Sequence, residues 1–146
     1  MQSVKLRLTN RITMVDEVHE YIQKWEVDNG YSDKVLLLRI ALQEWISNLL
    51  LHADFGDRPI EVILDTWVDG ELIKCSIEDN SVGFDLEGEN SDPTIVEHDG
   101  DRGRGLWMMR QVASEGLSYE PIGKSRHKLT LSIGDNPDLW DRILSS

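Results

Sequence analysis

The feature that most constrains this fold is the segment from Asp33 to His52, where apolar side chains recur at helical spacing. At roughly 100° per residue, these residues form one continuous stripe. The stripe consists of Leu38, Leu42, Trp45 and Leu49, widened by Val35, Ala41 and Ile46. Ser32 directly precedes the segment and is typical of a helix N-cap. A helix with so wide an apolar face must pack against a second layer.

The rest of the chain predicts that second layer as a sheet. The other predicted elements are strands at 4–8, 60–64, 72–77, 119–123 and 127–133, and helices at 13–28, 106–113 and 138–144. Asn29-Gly30 is typical of a helix end, and Asp69-Gly70 of a hairpin turn. The order β-α-α-β-β-α-β-β predicts an α+β fold, a two-layer α/β sandwich. We expect a mixed, mostly antiparallel sheet with its helices on one face.

Composition narrows the range of functions. A length of 146 residues predicts one domain over residues 1–146. The net charge of −12 repels phosphate backbones, so direct nucleic-acid binding is not expected, whereas a basic protein partner would suit this charge. We expect neither a secretory signal nor an apolar stretch long enough to span a membrane, so a cytoplasmic location is predicted. Cys75 is the single cysteine and reads as a buried, inert side chain.

A polar column runs along the edge of the apolar stripe. Glu44, Asn48 and His52 follow one another at four-residue steps and therefore stack on one side of the helix. The column is compatible with a solvated flank. It is equally compatible with a site for cation binding and proton transfer. An Asn carbonyl is a hard ligand suited to Mg²⁺, and a Glu one turn earlier can accept a proton.

Two further stretches carry polar chemistry. Asp79 stands at the end of a predicted strand, four residues before Gly83. A carboxylate there can accept a hydrogen bond from an amino group such as that of adenine, although the same residues also suit an Asx turn. The second stretch, Gly100-Asp101-Arg102-Gly103-Arg104-Gly105-Leu106, leads into a predicted helix and could expose backbone N–H groups to an anion.

Taken together, the three stretches resemble a known superfamily. Glu-x3-Asn, Asp-x3-Gly and Gly-x-Gly-Leu occur here in the order found in the Bergerat-fold (GHKL-type) ATPases, which include gyrase-type topoisomerases, histidine kinases and mismatch-repair ATPases. Within that superfamily the chain resembles the small anti-sigma factor serine/threonine-protein kinases. The resemblance is carried by the segment 43–53, which closes on His52-Ala53, by Gly83-Phe84-Asp85, and by Gly103-Arg104-Gly105-Leu106.

The resemblance implies a role for each matching residue, with ATP and Mg²⁺ as cofactors. Glu44 would be the catalytic base and Asn48 the Mg²⁺ ligand. Asp79 would bind the adenine amino group, with Gly83 beside the ring. The phosphates would be held by Arg102, Gly103, Arg104, Gly105 and Leu106. The segment 86–101 would be a mobile lid over the nucleotide.

The implied function is an ATP-dependent protein kinase in a partner-switching system. It would phosphorylate an anti-anti-sigma antagonist and sequester a sigma factor or another target, as a homodimer. The alternative is a non-catalytic ATP-binding switch module. Two positions depart from the family pattern: Ser81 replaces a usual Gly, and either Ser125 or His127 stands where a Thr is usual. The four histidines lack zinc-ligand spacing, so no zinc site is expected.

Overall fold

The computed structural model describes residues 4–30, 32–83 and 101–135, with the backbone alone described for Val4 and for residues 101–106. The elements in chain order are β1 (Val4–Leu8), α1 (Met14–Asn29), α2 (Asp33–His52), β2 (Val62–Asp69), β3 (Leu72–Asp79), α3 (Asp101–Val112), β4 (Gly116–Gly123) and β5 (Arg126–Ile133). This is the order of helices and strands that the sequence predicted. The predicted terminal helix at 138–144 lies outside the described residues.

The five strands form one sheet in the order β1-β2-β3-β5-β4. All four strand pairings among the described residues are antiparallel, whereas the sequence predicted a mixed, mostly antiparallel sheet. The predicted hairpin is confirmed: β2 and β3 are joined at Gly70, whose φ of +62° is one that glycine adopts without strain. The α+β class is confirmed as well.

Helix α2 is the central element of the core. All seven residues of the predicted stripe are buried, and Leu38, Leu42 and Leu49 have no exposed surface. The Ser32 Oγ accepts a hydrogen bond from the Val35 N–H at 3.4 Å, which confirms the predicted N-cap. The helix is therefore positioned by its apolar face and held at its start by a local cap.

We expected no apolar stretch long enough to span a membrane, and this expectation was wrong, because one helix is long and apolar enough. Helix α2 has 20 residues and contains an 18-residue stretch with a mean hydropathy of 1.2, which suffices by length and composition alone. Half of that stretch is nevertheless buried inside the domain, against the sheet and the neighbouring helices. This is how the core helix of a soluble protein is placed.

One face of the sheet packs on the helices, while the other carries ion pairs. Glu61, just before β2, pairs with Arg7 of β1 at 2.7 Å and also with Arg126 of β5. The Arg126 and Arg7 hydrogen bonds hold the pKa of the Glu61 carboxyl below its usual value. Glu78 lies within 4 Å of Lys128 and Arg126 on the same face.

Helix α3 begins earlier than predicted. Its first residue is Asp101, whereas the sequence pattern placed the start at Leu106. Gly103 and Gly105 therefore lie within the first turns of the helix, not in a turn before it. Met109 and Val112 are buried farther along, where α3 packs against α2. Burial of this apolar face offsets the low helix propensity of the two glycines.

Candidate functional site

The polar column on α2 is mostly withdrawn from solvent. Asn48 is only 7% exposed, and Glu44 is half-buried. His52 is exposed at the helix end, as on a solvated flank. An amide buried at the border of an apolar core costs free energy unless it is used for hydrogen bonding or ligation. The column thus places one buried amide and one half-buried carboxylate a helical turn apart.

Asp79 is fully buried at the C-terminal end of β3. Its Oδ1 accepts hydrogen bonds from the Ser81 N–H at 3.0 Å and from the Ser81 Oγ at 2.5 Å. Its Oδ2 accepts one from the Tyr119 hydroxyl at 3.2 Å. The bond from the Ser81 N–H closes the Asx turn that was the simpler interpretation of this stretch. The carboxylate is therefore anchored through Oδ1 and reached from β4 through Oδ2.

Ser81 fits this turn although the family pattern has Gly at its position. It is fully buried, and no non-glycine residue in the described ranges has a positive φ. Its Oγ donates to Asp79 and accepts from the Gly83 N–H at 3.0 Å. The serine thus links the carboxylate to the glycine two residues further on, so this departure adds an anchor to the turn.

Three aromatic rings lie beside Asp79. The rings of Trp45 and Tyr119 meet edge to face, with centroids 5.1 Å apart and planes at 66°. The rings of Tyr119 and His127 are stacked, with centroids 5.4 Å apart and planes at 21°. These three residues, Trp45, Tyr119 and His127, are called the aromatic stack below. The stack connects the middle of α2 with strands β4 and β5.

His127 stands opposite Asp79 in the register of β3 and β5. Of the two positions considered for the family's usual Thr, it is thus the one beside the carboxylate. Its imidazole also lies against Gly83. A Cβ built on that glycine would lie 2.3 Å from Nε2 and 2.5 Å from Cε1 of the ring. Gly83 has a φ of +91°, so both its backbone and its neighbour require glycine.

Two contacts bring α2 and the Asp79 turn together. The Val82 N–H donates to the Asp54 carbonyl, two residues past the end of α2, at 2.9 Å. Trp45 of α2 touches Tyr119, whose hydroxyl reaches Asp79. Asn48 follows Trp45 by three residues and so lies roughly 60° away around the helix. The buried amide and the buried carboxylate therefore flank the same region of the domain.

The glycine–arginine stretch is only partly visible. Arg102, Gly103, Arg104, Gly105 and Leu106 lie in the first two turns of α3, with helical backbone. Their side chains are outside the described part of the structure, and so are Phe84, Asp85 and most of the predicted lid at 86–101. Because α3 packs against α2, the backbone of this stretch belongs to the same side of the sheet as the polar column.

Cys75 lies on β3 and is fully buried. Burial raises the pKa of its thiol to about 12. The thiolate is the reactive form of cysteine, and at neutral pH this side chain holds almost none of it. Cys75 is therefore an apolar core residue and supplies no nucleophile to the site.

Comparison with known families decides the assignment. The model of the histidine kinase-like ATPase domain matches residues 6–133, which is most of the chain. The chain belongs to the histidine kinase-like ATPase domain family. No curated protein matched the chain in a sequence search. The family match supports ATP binding and ATP-dependent chemistry as the class of activity, and it agrees with the observed antiparallel sheet and helices.

The donor set of this histidine kinase-like ATPase domain fits a magnesium nucleotide in chemical terms. Asp79 offers a buried acceptor for an amino group, and Asn48 offers a buried amide oxygen of the kind that Mg²⁺ accepts. The space beside Gly83 is different. We expected a flat ring of the ligand there, whereas the structure has the flat ring of His127.

Sequence reasoning missed part of this ATPase site. Tyr119 gave no functional signal, because a single Tyr on a weakly predicted strand is unremarkable. Ser81 appeared only as a departure from the family pattern, and its bonds to Asp79 and Gly83 need coordinates to be seen. His127 was one of two candidates for one position, and the strand register distinguishes it from Ser125.

Proposed function

We propose that this domain is an ATP-dependent protein serine/threonine kinase that works as an anti-sigma-type regulator. The observation that carries the proposal is the pair of buried polar groups on one side of the sheet, Asp79 at the end of β3 and Asn48 on α2. A small domain that needed only stability would bury apolar side chains at these two positions. Buried, oriented polar groups beside one region are typical of a ligand site.

Asp79 is suited to read the purine. Its Oδ2 faces the aromatic stack and accepts one hydrogen bond from Tyr119 among the described residues. A carboxylate oxygen can accept more than one such bond, so an adenine amino group can be bound there. Oδ1 is held by Ser81 and fixes the orientation of the group. Asn48 would hold Mg²⁺ through its side-chain oxygen.

The phosphates are assigned to the start of α3. Helix α3 begins at Asp101, so the N–H groups of its first turn, up to Gly103, have no partner within the helix, and such groups favour anions. Arg102 and Arg104 bring positive charge to a chain whose net charge is −12. A lid at 86–101 would exclude water from the closed site.

Glu44 is the residue to which we assign proton transfer. Bound ATP with Mg²⁺ supplies the phosphoryl group that the reaction transfers. Glu44 lies one helical turn before Asn48 and is half-buried, so its carboxylate is near the assigned metal ligand and still reachable. It would accept the proton of an incoming Ser or Thr hydroxyl. Most of the remaining catalysis in such transfers comes from positioning and charge neutralisation.

The partners we propose follow from the same family of regulators. The phosphorylated protein would be an anti-anti-sigma antagonist, and the sequestered one a sigma factor or another target. The acidic surface favours a basic partner and disfavours direct binding to nucleic acid. We further propose a homodimer that acts in the cytoplasm without membrane attachment.

The first test is nucleotide binding followed by phosphoryl transfer. Wild-type protein should be stabilised against heat by millimolar ADP or ATP with Mg²⁺, and should transfer labelled phosphate to a Ser or Thr of an antagonist. No thermal shift would refute the nucleotide site. Binding without transfer to any antagonist tried would favour the non-catalytic switch.

The second test isolates Glu44. Glu44→Gln should bind nucleotide like the wild type and lose transfer by a factor of about 10² or more, because it cannot take the proton. Glu20→Gln is the matched control, since Glu20 is an exposed glutamate of α1 away from the site. If Glu44→Gln phosphorylates the antagonist normally, the assignment of the base is wrong.

A further inference from the structure

The imidazole of His127 occupies space that a bound purine would need. Three of its ring atoms, Nε2, Cε1 and Cδ2, lie within 2.8 Å of a Cβ built on Gly83. Real Cβ atoms essentially never come so close to a neighbour, so the ring occupies the space that a side chain at position 83 would need. The absence of a side chain at Gly83 thus makes room for a ring, and the ring present is the protein's own.

The imidazole also contacts an aromatic ring. Tyr119 stacks on it at a centroid distance of 5.4 Å, and Trp45 of α2 supports Tyr119 from the side. The Tyr119 hydroxyl then reaches back to the Oδ2 of Asp79. His127 is therefore half-buried against a glycine and an aromatic ring, next to the carboxylate assigned to the purine amino group. This is the environment that a flat, nitrogen-containing base prefers.

Two rings cannot share this volume. Stacked rings and ring–backbone contacts need about 3.5 Å between atoms, and the imidazole already lies against both Gly83 and the Tyr119 ring. A purine that donates to Asp79 and lies along Gly83 must take the place of His127. The register of β5 against β3 fixes the His127 backbone opposite Asp79, so the change would be a rotation of the side chain.

We propose that His127 is a built-in occupant of the base subsite, which an adenine nucleotide must displace in order to bind. The inference rests on the proposed function, because it takes Asp79 as the group that reads the base. One detail makes the displacement easy: the His127 Nδ1 is buried and has no hydrogen-bond partner among the described residues. Leaving the subsite sacrifices a stacking contact with Tyr119 but no hydrogen bond from Nδ1.

The binding test compares ADP affinity, measured by calorimetry in Mg²⁺, for wild type and His127→Ala. Removing the occupant should raise the affinity by roughly three- to tenfold, the equivalent of one aromatic stacking contact that no longer has to be broken. His19→Ala is the matched control, since His19 is an exposed histidine on α1 whose ring contacts Arg39. That control should bind ADP like the wild type.

A second readout uses the intact protein. In the wild type, the ring protons of His127 lie over Tyr119 and should resonate upfield of those of the other histidines. Saturation with ADP should move them downfield as the His127 ring leaves Tyr119, whereas the resonances of the His19 ring protons should not shift. Assignment comes from the resonances that disappear in His127→Ala, whose melting temperature without ligand checks that the variant is folded. If that variant does not fold, the titration of the wild type alone decides the question.

The outcomes separate this inference from the proposed function. Tighter ADP binding by His127→Ala, or a downfield shift of the His127 resonances on saturation, supports it. The displacement is overturned if the wild type binds ADP and the folded variant binds it no more tightly, or if the His127 resonances of the wild type do not move. Either result leaves nucleotide binding itself standing. Failure of both the wild type and the folded variant to bind at millimolar ADP overturns the proposed function, and the displacement with it.

Discussion

Replacing Ser81 by Ala tests whether this serine holds the site carboxylate in place. The Ser81 hydroxyl donates to the Asp79 Oδ1 at 2.5 Å and accepts from the Gly83 N–H at 3.0 Å. A hydrogen bond to a charged group contributes about 1.5–3 kcal/mol, and one between neutral groups about 0.5–1.5 kcal/mol. Gly83 is only half-buried, so water can replace its lost acceptor. We therefore expect the free energy of unfolding of Ser81→Ala to fall by about 2 kcal/mol.

Urea unfolding at neutral pH measures this change directly. A loss of about 2 kcal/mol should also lower the melting temperature by roughly 4–8 °C for a chain of this size. Ser118→Ala is the matched control, because Ser118 is exposed on β4 and its substitution should change stability by no more than about 0.5 kcal/mol.

A double-mutant cycle shows whether the effect acts through the carboxylate. In an Asp79→Asn background, Ser81→Ala should cost at least about 1 kcal/mol less than in the wild type, because residues in one hydrogen-bond network are coupled. A Ser81→Ala protein within about 0.5 kcal/mol of the wild type would refute the anchoring role. Additive effects of the two substitutions would refute the link to Asp79.

Two further predictions concern groups outside the site. Hydrogen bonds from Arg126 and Arg7 lower the pKa of Glu61 in the folded state, so this stabilisation is present above the ordinary glutamate pKa of about 4.3 and is lost as the pH falls below it. Glu61→Gln should therefore have a lower free energy of unfolding in urea at pH 7, by about 1 kcal/mol or less, and this difference from the wild type should shrink as the pH falls through the folded-state pKa of Glu61. A difference that stays equal between pH 7 and pH 3 would contradict this. The buried Cys75 thiol, with a pKa of about 12, should resist iodoacetamide at pH 8 in the native protein and react fully in urea. Labelling of the native protein at the rate of a free thiol would show that Cys75 is accessible to solvent and would refute its burial.

Much of the fold could be predicted because its signals are local. The Ser32 cap and the Asp69-Gly70 turn each depend on residues within a few positions of one another, and both are present. The stripe on α2 has a clear period, which no short-range feature opposes. The start of α3 was placed too late because glycines normally mark a helix boundary, and here packing of Met109 and Val112 outweighs that preference.

Only the motif residues of the candidate site could be predicted from the sequence. Glu44, Asn48 and Asp79 belong to motifs of fixed spacing, and the two that are buried lie on one side of the sheet. The aromatic stack could not be foreseen, because it depends on how β5 is registered against β3 and on which face of β4 meets α2. Contacts of that kind are decided by tertiary packing and leave no pattern in a single sequence.

The contacts around Asp79 also differ in how far apart their partners lie along the chain. The bonds from Ser81 span two residues, whereas the bond from Tyr119 spans 40. Closing a short loop costs less chain entropy and takes less time, so the Asp79–Ser81 turn can form as soon as β3 ends. Tyr119 and His127 arrive only when β4 and β5 have joined the sheet. During folding, the Asp79 carboxylate is therefore oriented first by Ser81, and the rings of Tyr119 and His127 pack beside it last.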